Sequence, residues 1–436
     1  MTAPLPSAPS APVRGIRRWD LVALFLNGII GAGIFGLPSR VHALVGAYGL
    51  FAYALCALVV LGIVLAFAEA GSRFDKSGGP GLYAREAFGP WVGSSVSWLV
   101  WLSRVTAFAA LANLFADYLA HVFPEAKEGG ARAAVITVLV LALAAVNLVG
   151  VRRAALVGDV FTVAKLVPLL AFVVLGLAHV EGARFDFSTP PNVESISQAV
   201  LLLVFAFTGF ESAVIPAGEV VDPRRNLPFA ALTSLAIVAP LYLAVQFVCI
   251  GTHEGLAAST RPLAEAAERF LGPAGGVFIA VGALVSISGT LNGITLATPR
   301  MLFALGEQGE LPRAFAATHA RFHTPHVAIL ATTAAVLALS LSGSFLGAVS
   351  MSTLARLVTY AATCAAVPVL RRRAGEDGAR FRVPGGTITI AGALLAIAWL
   401  FTSVAGVEFR NVGIVVGLGI LVRLAMTWSR ARSTTR

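Results

Sequence analysis

Apolar stretches about twenty residues long recur along almost the whole chain and limit what it can fold into. A helix needs about 20 mostly apolar residues to cross the roughly 30 Å hydrocarbon layer of a membrane. About twelve segments qualify on that basis, at residues 19–46, 49–71, 91–122, 132–150, 154–180, 196–220, 229–252, 273–305, 327–342, 345–370, 387–405 and 411–428. Only 12% of the residues are charged, whereas soluble domains carry roughly 25%. The sequence therefore predicts an all-α polytopic membrane protein with no large domain outside the membrane.

The basic residues are concentrated between alternate spans, in "RGIRRW", "VRR", "DPRRN" and "LRRR". Basic loops of a membrane protein stay on the cytoplasmic side, so we expect both termini inside the cell. This distribution also explains the net charge of +10 without a nucleic-acid partner. Residues 1–16 are rich in Pro, Ser and Ala and are predicted to form a disordered cytoplasmic tail. We expect a multi-pass protein of the plasma membrane, the inner membrane of a bacterium.

The first span contains an unusual concentration of glycine, "LFLNGIIGAGIFGLP" at residues 24–38. One interpretation is close helix packing, because small residues at four-residue spacing let helices approach each other. The other is a break in the helix, which membranes tolerate only where the unwound backbone is buried or lines a watery cavity. Gly31 and Gly33 lack the four-residue spacing and Pro38 follows them. This pattern favours a broken helix.

The sixth span is interrupted in a similar way, by Thr208, Gly209 and Glu211 near its middle and by Pro216 beyond them. Many secondary transporters contain two inverted repeats with discontinuous helices at equivalent positions. With a repeat of five spans, the partner of span one is span six. The second interruption therefore lies where the first one predicts it.

Four ordered motifs carry a family resemblance: "GIIGAGIFGLP", "AEAGSRFDKSGGPGLYAREAFGP", "FAFTGFESAVIPAGEVVDPRRNLP" and "RMLFALGEQGELPRAF" with a later "TPH". They are similar to those of the amino acid, polyamine and organocation permeases, from about Arg17 to Arg373. The resemblance implies two inverted five-helix repeats, at approximately 17–180 and 190–373, and two peripheral helices with a cytoplasmic tail at 374–436. It also implies transport of amino acids or related amines by alternating access, as proton symport or as exchange, by a monomer or a homodimer.

Physical chemistry suggests how such a site would hold a zwitterion. Unwinding around Ala32 frees backbone N–H groups at the start of a half-helix, where the positive dipole end favours an α-carboxylate. Carbonyls at the ends of the two opposing half-helices favour the ammonium group. The predicted substrate-binding residues are Ile29, Ile30, Gly31, Ala32, Gly33, Phe205, Phe207, Thr208 and Gly209. The resemblance implies that Phe205 is an aromatic gate over the substrate, and ordinary packing is the alternative.

Three basic residues lie within spans, Arg104, Lys165 and Arg356. Ionisable residues at membrane depth are functional candidates by default. A desolvated lysine loses part of its preference for the charged form, so Lys165 is a candidate for proton coupling. The resemblance implies that a lysine here replaces the ion of sodium-coupled relatives and touches spans one and eight, with Ser286 and Ser288 as hydroxyl neighbours. The alternative is a permanently charged lysine that ties helices together through backbone carbonyls.

Glu211 follows the break in span six and is the second candidate for proton sensing, with a fixed salt bridge to Arg104 as the alternative. Trp101, Arg104 and Phe108 share one face of a helix, which we expect to look inward. The predicted side-chain pocket comprises Arg104, Phe108 and Ser288. Its arginine would disfavour cationic substrates, so we expect neutral amino acids.

The sequence offers no support for an enzyme. It shows no clustered metal ligands and no nucleophile with an adjacent base, and we expect no cofactor and no metal. A membrane sensor that binds amino acids without moving them remains an alternative, as does a sodium symporter of the same fold, against which Lys165 argues. Glu69 and Asp117, near span ends, are expected to reach water. The predicted partners are thus an amino acid substrate, the lipid bilayer and protons.

Overall fold

The computed structural model describes residues 15–31, 33–74, 78–149, 154–214, 220–374 and 381–434. Within these ranges the chain is almost entirely helical, and its only β-type pairing is an isolated bridge between Ile16 and Val220. The α-helices are α1 (Arg18–Ile29), α2 (Gly33–Val45), α3 (Gly49–Ser72), α4 (Gly79–Phe88), α5 (Pro90–Leu119), α6 (Gly129–Val149), α7 (Ala154–Gly176), α8 (Val193–Ala206), α9 (Phe210–Ala213), α10 (Pro223–Thr252), α11 (Pro262–Glu307), α12 (His326–Ser342), α13 (Phe345–Ala374), α14 (Thr387–Phe401) and α15 (Gly406–Thr434).

Each predicted span corresponds to one helix or to a broken pair of helices. Seven described segments are long and apolar enough to cross a membrane: Gly33–Ser72, Pro90–Leu119, Gly129–Val149, Pro223–Thr252, Pro262–Glu307, Phe345–Arg373 and Gly406–Trp428. Four shorter apolar helices accompany them, Lys165–His179, Val193–Ala206, His326–Ser342 and Thr387–Phe401. The prediction of an all-α polytopic membrane fold is confirmed.

Two of the predicted spans are interrupted. In the first, α1 ends at Ile29 and α2 begins at Gly33. In the sixth, α8 ends at Ala206 and the short α9 begins at Phe210. Ala32 and Pro216, which the sequence placed at these interruptions, lie outside the described residues.

Ion pairs identify the two ends of the helical bundle. The near end, where the chain enters α1, contains the pair of Arg85 and Glu310 at 3.0 Å. The far end contains the pair of Arg132 and Asp117 at 2.6 Å.

The prediction that Glu69 reaches water is wrong. Its side chain is fully buried and accepts hydrogen bonds from Arg371 at 2.6 and 2.8 Å and from Arg73 at 2.9 Å. The backbone N–H of Val383 donates to it as well, at 2.9 Å. Glu69 therefore joins α3, α13 and the segment that leads to α14, because a buried carboxylate needs compensating donors. Asp117 keeps part of its side chain exposed beside Arg132.

Candidate functional site

The two interrupted helices cross at a pair of glycines. A Cβ atom on Gly28 would lie 2.7 Å from the carbonyl oxygen of Gly209, and a Cβ atom on Gly209 would overlap the carbonyl of Gly28. Gly209 also has a φ of +111°, a conformation that favours glycine. Nearby, a Cβ atom on Gly33 would lie 2.6 Å from the Cα of Ala206. Both interpretations of the glycines therefore hold, since the helices break and also pack in close contact.

Tyr242 of α10 bridges the two breaks, which the sequence analysis missed. Its buried hydroxyl lies 2.9 Å from the carbonyl oxygen of Ile29 and 3.2 Å from that of Ala206. Its ring packs on Phe207, with centroids 5.1 Å apart. These carbonyls end α1 and α8, where the i to i+4 ladder stops, and the Ile29 carbonyl otherwise accepts the N–H of Gly31 at 2.8 Å. A hydroxyl from an intact helix therefore supplies a further donor at the two helix ends.

A central cavity of about 240 Å³ adjoins both breaks. Predicted site residues that line it are Ile29, Gly31, Gly33, Phe205, Thr208, Gly209 and Arg104. Leu111 of α5 and Thr290 of α11 also contribute. Two predicted residues, Ile30 and Phe207, are buried but are absent from this lining.

Lys165 of α7 is fully buried against α1. Its ammonium donates to the backbone carbonyl of Asn27 at 3.0 Å, to the Asn27 side-chain oxygen at 2.6 Å and to the carbonyl of Ile30 at 2.9 Å. The lysine therefore touches span one, as the resemblance implied. Asn27, which also lines the cavity, was missed, although a lone amide in an apolar span is a recognisable signal.

Neither of the two serines predicted beside Lys165 is among the acceptors of its described hydrogen bonds. The hydroxyl of Ser286 is buried and forms no hydrogen bond among the described residues. Ser288 is half-buried and does not line the central cavity. The hydroxyl that α11 presents to the cavity belongs to Thr290, which donates to the carbonyl of Ser286 at 3.0 Å.

Glu211 forms a salt bridge with Arg356 of α13, a partner that the sequence analysis did not name when it offered Arg104 as the alternative. The carboxylate also accepts hydrogen bonds from the hydroxyl of Tyr360 at 3.1 Å and from the backbone N–H of Gly209 at 2.9 Å. Arg356, one of the three basic residues that the sequence places within spans, also lines the central cavity. Arg104 of α5 and Arg356 of α13 both line the central cavity, so the sequence alone does not decide which of them pairs with Glu211. The packing of α13 decides it.

Fewer of the three α5 residues predicted to face inward reach the central cavity than expected. Arg104 lines the central cavity, but Phe108 lies beside a separate small cavity with Val140 and Thr332. The indole N–H of Trp101 donates to the hydroxyl of Thr332 at 3.3 Å. Trp101 and Phe108 thus face α12. Arg104 and Phe108 are four residues apart, and because a turn of helix contains 3.6 residues, their side chains point in slightly different directions and reach different neighbours.

The carbonyls that the sequence analysis offered to a substrate ammonium already have protein donors. Ile29 accepts from Tyr242, Ile30 from Lys165 and Phe205 from the hydroxyl of Thr208 at 2.7 Å. The cavity is also lined by Gly33 at the start of α2, by the Phe205 ring and by the side chains of Arg104 and Arg356, of which Arg356 is paired with Glu211. Backbone N–H groups and guanidinium groups both suit a ligand that carries a carboxylate. The described residues contain no group of three or more His, Cys, Asp or Glu side chains that would hold a metal ion.

Comparison with known proteins decides the family. The amino acid permease family model matches residues 16–427, nearly the whole chain. The chain belongs to the amino acid permease family. It is therefore a multi-pass membrane transporter rather than an enzyme, and the family match extends through α14 and most of α15, beyond the motifs that carried the resemblance.

Individual members of the amino acid permease family match over most of their length. The serine/threonine exchanger SteT of Bacillus subtilis is 31% identical over 418 residues, which cover 93% of this chain and 93% of the relative. The methylthioribose transporter of Bacillus subtilis is 26% identical over 432 residues, with coverages of 94% and 92%. The large neutral amino acids transporter small subunit 2 of Mus musculus is 29% identical over 368 residues, with coverages of 80% and 68%.

Proposed function

We propose that this permease moves neutral amino acids across the plasma membrane by alternating access and exchanges one amino acid for another. The observation that carries the proposal is the central cavity at the crossing of two broken helices, where backbone lies open beside two arginines. Irregular backbone at membrane depth is typical of transporter binding sites. The names of the SteT and mouse relatives support amino acids as the substrate class.

The substrate lies across both breaks in this proposal. Its carboxylate lies at the positive end of α2, which begins at Gly33, where the first backbone N–H groups of the helix favour an anion. Its ammonium shares the carbonyl of Phe205, at the negative end of α8, with the Thr208 hydroxyl that already donates to it, and the Phe205 ring covers the ammonium as a gate. Arg104 and Arg356 disfavour a cationic side chain by direct repulsion.

Exchange is favoured over proton symport by the contacts of Lys165. An ammonium group has three donors, and all three have an acceptor on α1. A lysine held in this way acts as a fixed cation that links α7 to the end of α1. Symport is the second candidate because none of the three acceptors is a carboxylate, so the buried charge has no ionic compensation. In that case Lys165, or Glu211 beside the second break, carries the transported proton.

We further propose that the near end faces the cytoplasm and that the core consists of two inverted repeats at approximately 17–180 and 190–373. The basic clusters at residues 17–18 and 371–373 lie at the near end and support this orientation under the positive-inside rule. The helices α14 and α15 are then peripheral to the transport core.

Uptake into proteoliposomes tests the proposal. Purified protein is reconstituted, and labelled serine, leucine and arginine are offered to vesicles that are either empty or preloaded with unlabelled serine and leucine. We expect uptake of labelled serine or leucine only into preloaded vesicles and little uptake of arginine.

The other outcomes distinguish the alternatives. Uptake into empty vesicles driven by an inward proton gradient would replace exchange by proton symport, and dependence on a sodium gradient would indicate a sodium symporter. Binding of serine or leucine without flux, by protein whose folding is confirmed by a cooperative thermal transition, would indicate a sensor. Uptake of labelled methylthioribose alone would overturn the amino acid assignment.

A further inference from the structure

A second cavity, of about 470 Å³, lies at the near end between α4, α5 and α11, and we call it the vestibule. It shares Arg104 and Ala297 with the central cavity. The vestibule therefore adjoins the central cavity on its near-end side. Its volume lies within the range of about 300–1,000 Å³ that small-molecule sites occupy.

The charged side chains that line the vestibule all have the same sign. They are Arg85, Arg104 and Arg300, and no Asp or Glu is among its described lining residues. A cleft lined by one sign of charge between low-dielectric walls focuses the field and raises the local concentration of oppositely charged ligands. The vestibule is thus an environment that attracts anions.

Arg300 differs from Arg85 in its contacts. Arg85 donates to the side-chain oxygen of Gln308 at 2.6 Å and to the carboxylate of Glu310 at 3.0 Å, so its charge is compensated. Arg300 is half-buried, and the acceptor that it contacts among the described residues is the carbonyl of Leu296, one turn earlier in α11. A carbonyl does not neutralise a guanidinium, which has five donors in a planar fork. Most of these donors therefore remain available to a ligand in the vestibule.

We propose that the vestibule is a second binding site, for a small carboxylate, and that Arg300 anchors it. A guanidinium binds a carboxylate through two parallel hydrogen bonds, which gives both energy and orientation. Ser97 and Gln308 supply further polar groups at the same cavity wall. Arg104, at the border of the two cavities, offers the next guanidinium on the path inward. The site holds a carboxylate before it enters the central cavity or after it leaves.

Two kinds of ligand could supply the carboxylate in the vestibule: an amino acid that the protein is transporting, or a carboxylate that it does not transport. The probe for both is glutarate, a small dicarboxylate without an ammonium group, together with serine. Labelled glutarate that enters vesicles marks the vestibule as a site for transported substrates. Glutarate that binds and inhibits exchange without entering marks it as a site for a non-transported carboxylate.

Isothermal titration calorimetry on the full-length protein in lipid nanodiscs tests the site. We expect Arg300→Gln to weaken glutarate binding about tenfold or more, which corresponds to about 1.4 kcal/mol, because the variant loses the charge-assisted hydrogen bonds of the guanidinium. Arg313→Gln is the matched control, because Arg313 is an exposed arginine near the end of α11 that does not line the vestibule. It should leave glutarate affinity unchanged.

Three results would overturn the site: unchanged glutarate affinity in Arg300→Gln, an equal loss in Arg313→Gln, or no glutarate binding by the unaltered protein. If Arg300→Gln does not fold, Arg300→Lys serves instead. It keeps the charge but loses the planar fork, and we expect an intermediate affinity. This binding measurement does not depend on transport, so failure of the exchange assay and failure of the carboxylate site are distinguishable.

Discussion

Lys165 and Tyr242 perform the same task from two intact helices. Each donates to carbonyl oxygens at the helix ends beside the breaks, Lys165 at Asn27 and Ile30 and Tyr242 at Ile29 and Ala206. A membrane interior supplies no water for such groups, so each unpaired carbonyl would be costly. Single side chains on α7 and α10 therefore make the unwound backbone tolerable.

Removal of the Tyr242 hydroxyl should destabilise the protein. In Tyr242→Phe the carbonyls of Ile29 and Ala206 lose their shared donor, which should cost about 1–3 kcal/mol. Tyr48→Phe is the control, because that hydroxyl donates to the carbonyl of Phe187 at an exposed position of the far end. We expect a lower thermal unfolding midpoint and slower serine exchange for Tyr242→Phe only. Equal effects of the two variants would contradict a special role of the bridge.

The close contact between Gly28 and Gly209 should tolerate no side chain at position 209. Gly209→Ala adds a Cβ that overlaps the Gly28 carbonyl and imposes a positive φ on alanine, so we expect loss of folded protein. Gly31→Ala is the matched variant, because its Cβ would meet only ordinary contacts, the nearest being Thr290 at 3.6 Å. Size-exclusion chromatography of both variants checks the prediction. Recovery of monodisperse, thermally stable Gly209→Ala would show that the crossing is looser than the structure indicates.

At the scale of elements, α13 fixes the second break from outside. Glu211, in the short α9, reaches Arg356 and Tyr360 of α13 and also caps the backbone of Gly209. One carboxylate thereby connects the break, its glycine and an intact helix. Since α13 also packs on α3 and α5, a shift of α13 would move the break relative to the cavity.

Loss of one member of the Glu211–Arg356 pair should lower the free energy of unfolding more than loss of both. Glu211→Gln leaves the Arg356 guanidinium buried without its carboxylate, which should cost about 3–5 kcal/mol. The double variant with Glu211→Gln and Arg356→Gln removes both charges and should recover part of that stability while serine exchange stays low. Thermal unfolding of the two single variants and the double variant measures this coupling. Strictly additive losses would show that the two side chains do not depend on each other.

At the scale of the whole molecule, ionic contacts at the near end tie α14 and α15 to the rest of the bundle. Glu69 joins α3, α13 and the segment before α14. Arg423 of α15 donates to the hydroxyl of Ser94 at 2.5 Å and lies over the ring of Trp91, 4.1 Å from its centroid. The remaining surface of α15 is largely exposed, as expected for a helix against lipid.

The proposed orientation can be measured with single cysteines. Cys56, Cys249 and Cys364 are all buried, so the unaltered protein should react little with a membrane-impermeant thiol reagent. Glu254→Cys places a thiol at an exposed position of the far end, and Glu86→Cys does so at the near end. In intact cells we expect labelling of Glu254→Cys alone. Labelling of Glu86→Cys alone would reverse the orientation.

The sequence predicted the positions of the two breaks well and the partners of the charged residues poorly. Glycine, proline and polarity within an apolar span are local signals, so the interruptions near Gly31 and Gly209 could be read directly. The pairing of Glu211 depends on the rotation and depth of α13 relative to α9. One helical turn is about 5.4 Å, which is enough to exchange Arg104 for Arg356.

The sequence by itself determined that this protein is a bundle of membrane helices, where two of them break, and which family they resemble. These properties follow from apolar length, glycine content and ordered motifs, all of which act over short segments. Only the tertiary structure decided that Tyr242 and Asn27 complete the breaks, that Phe108 faces away from the cavity and that Arg300 lines a vestibule. These depend on how helices distant in sequence rotate against each other, which a pattern along one segment does not encode.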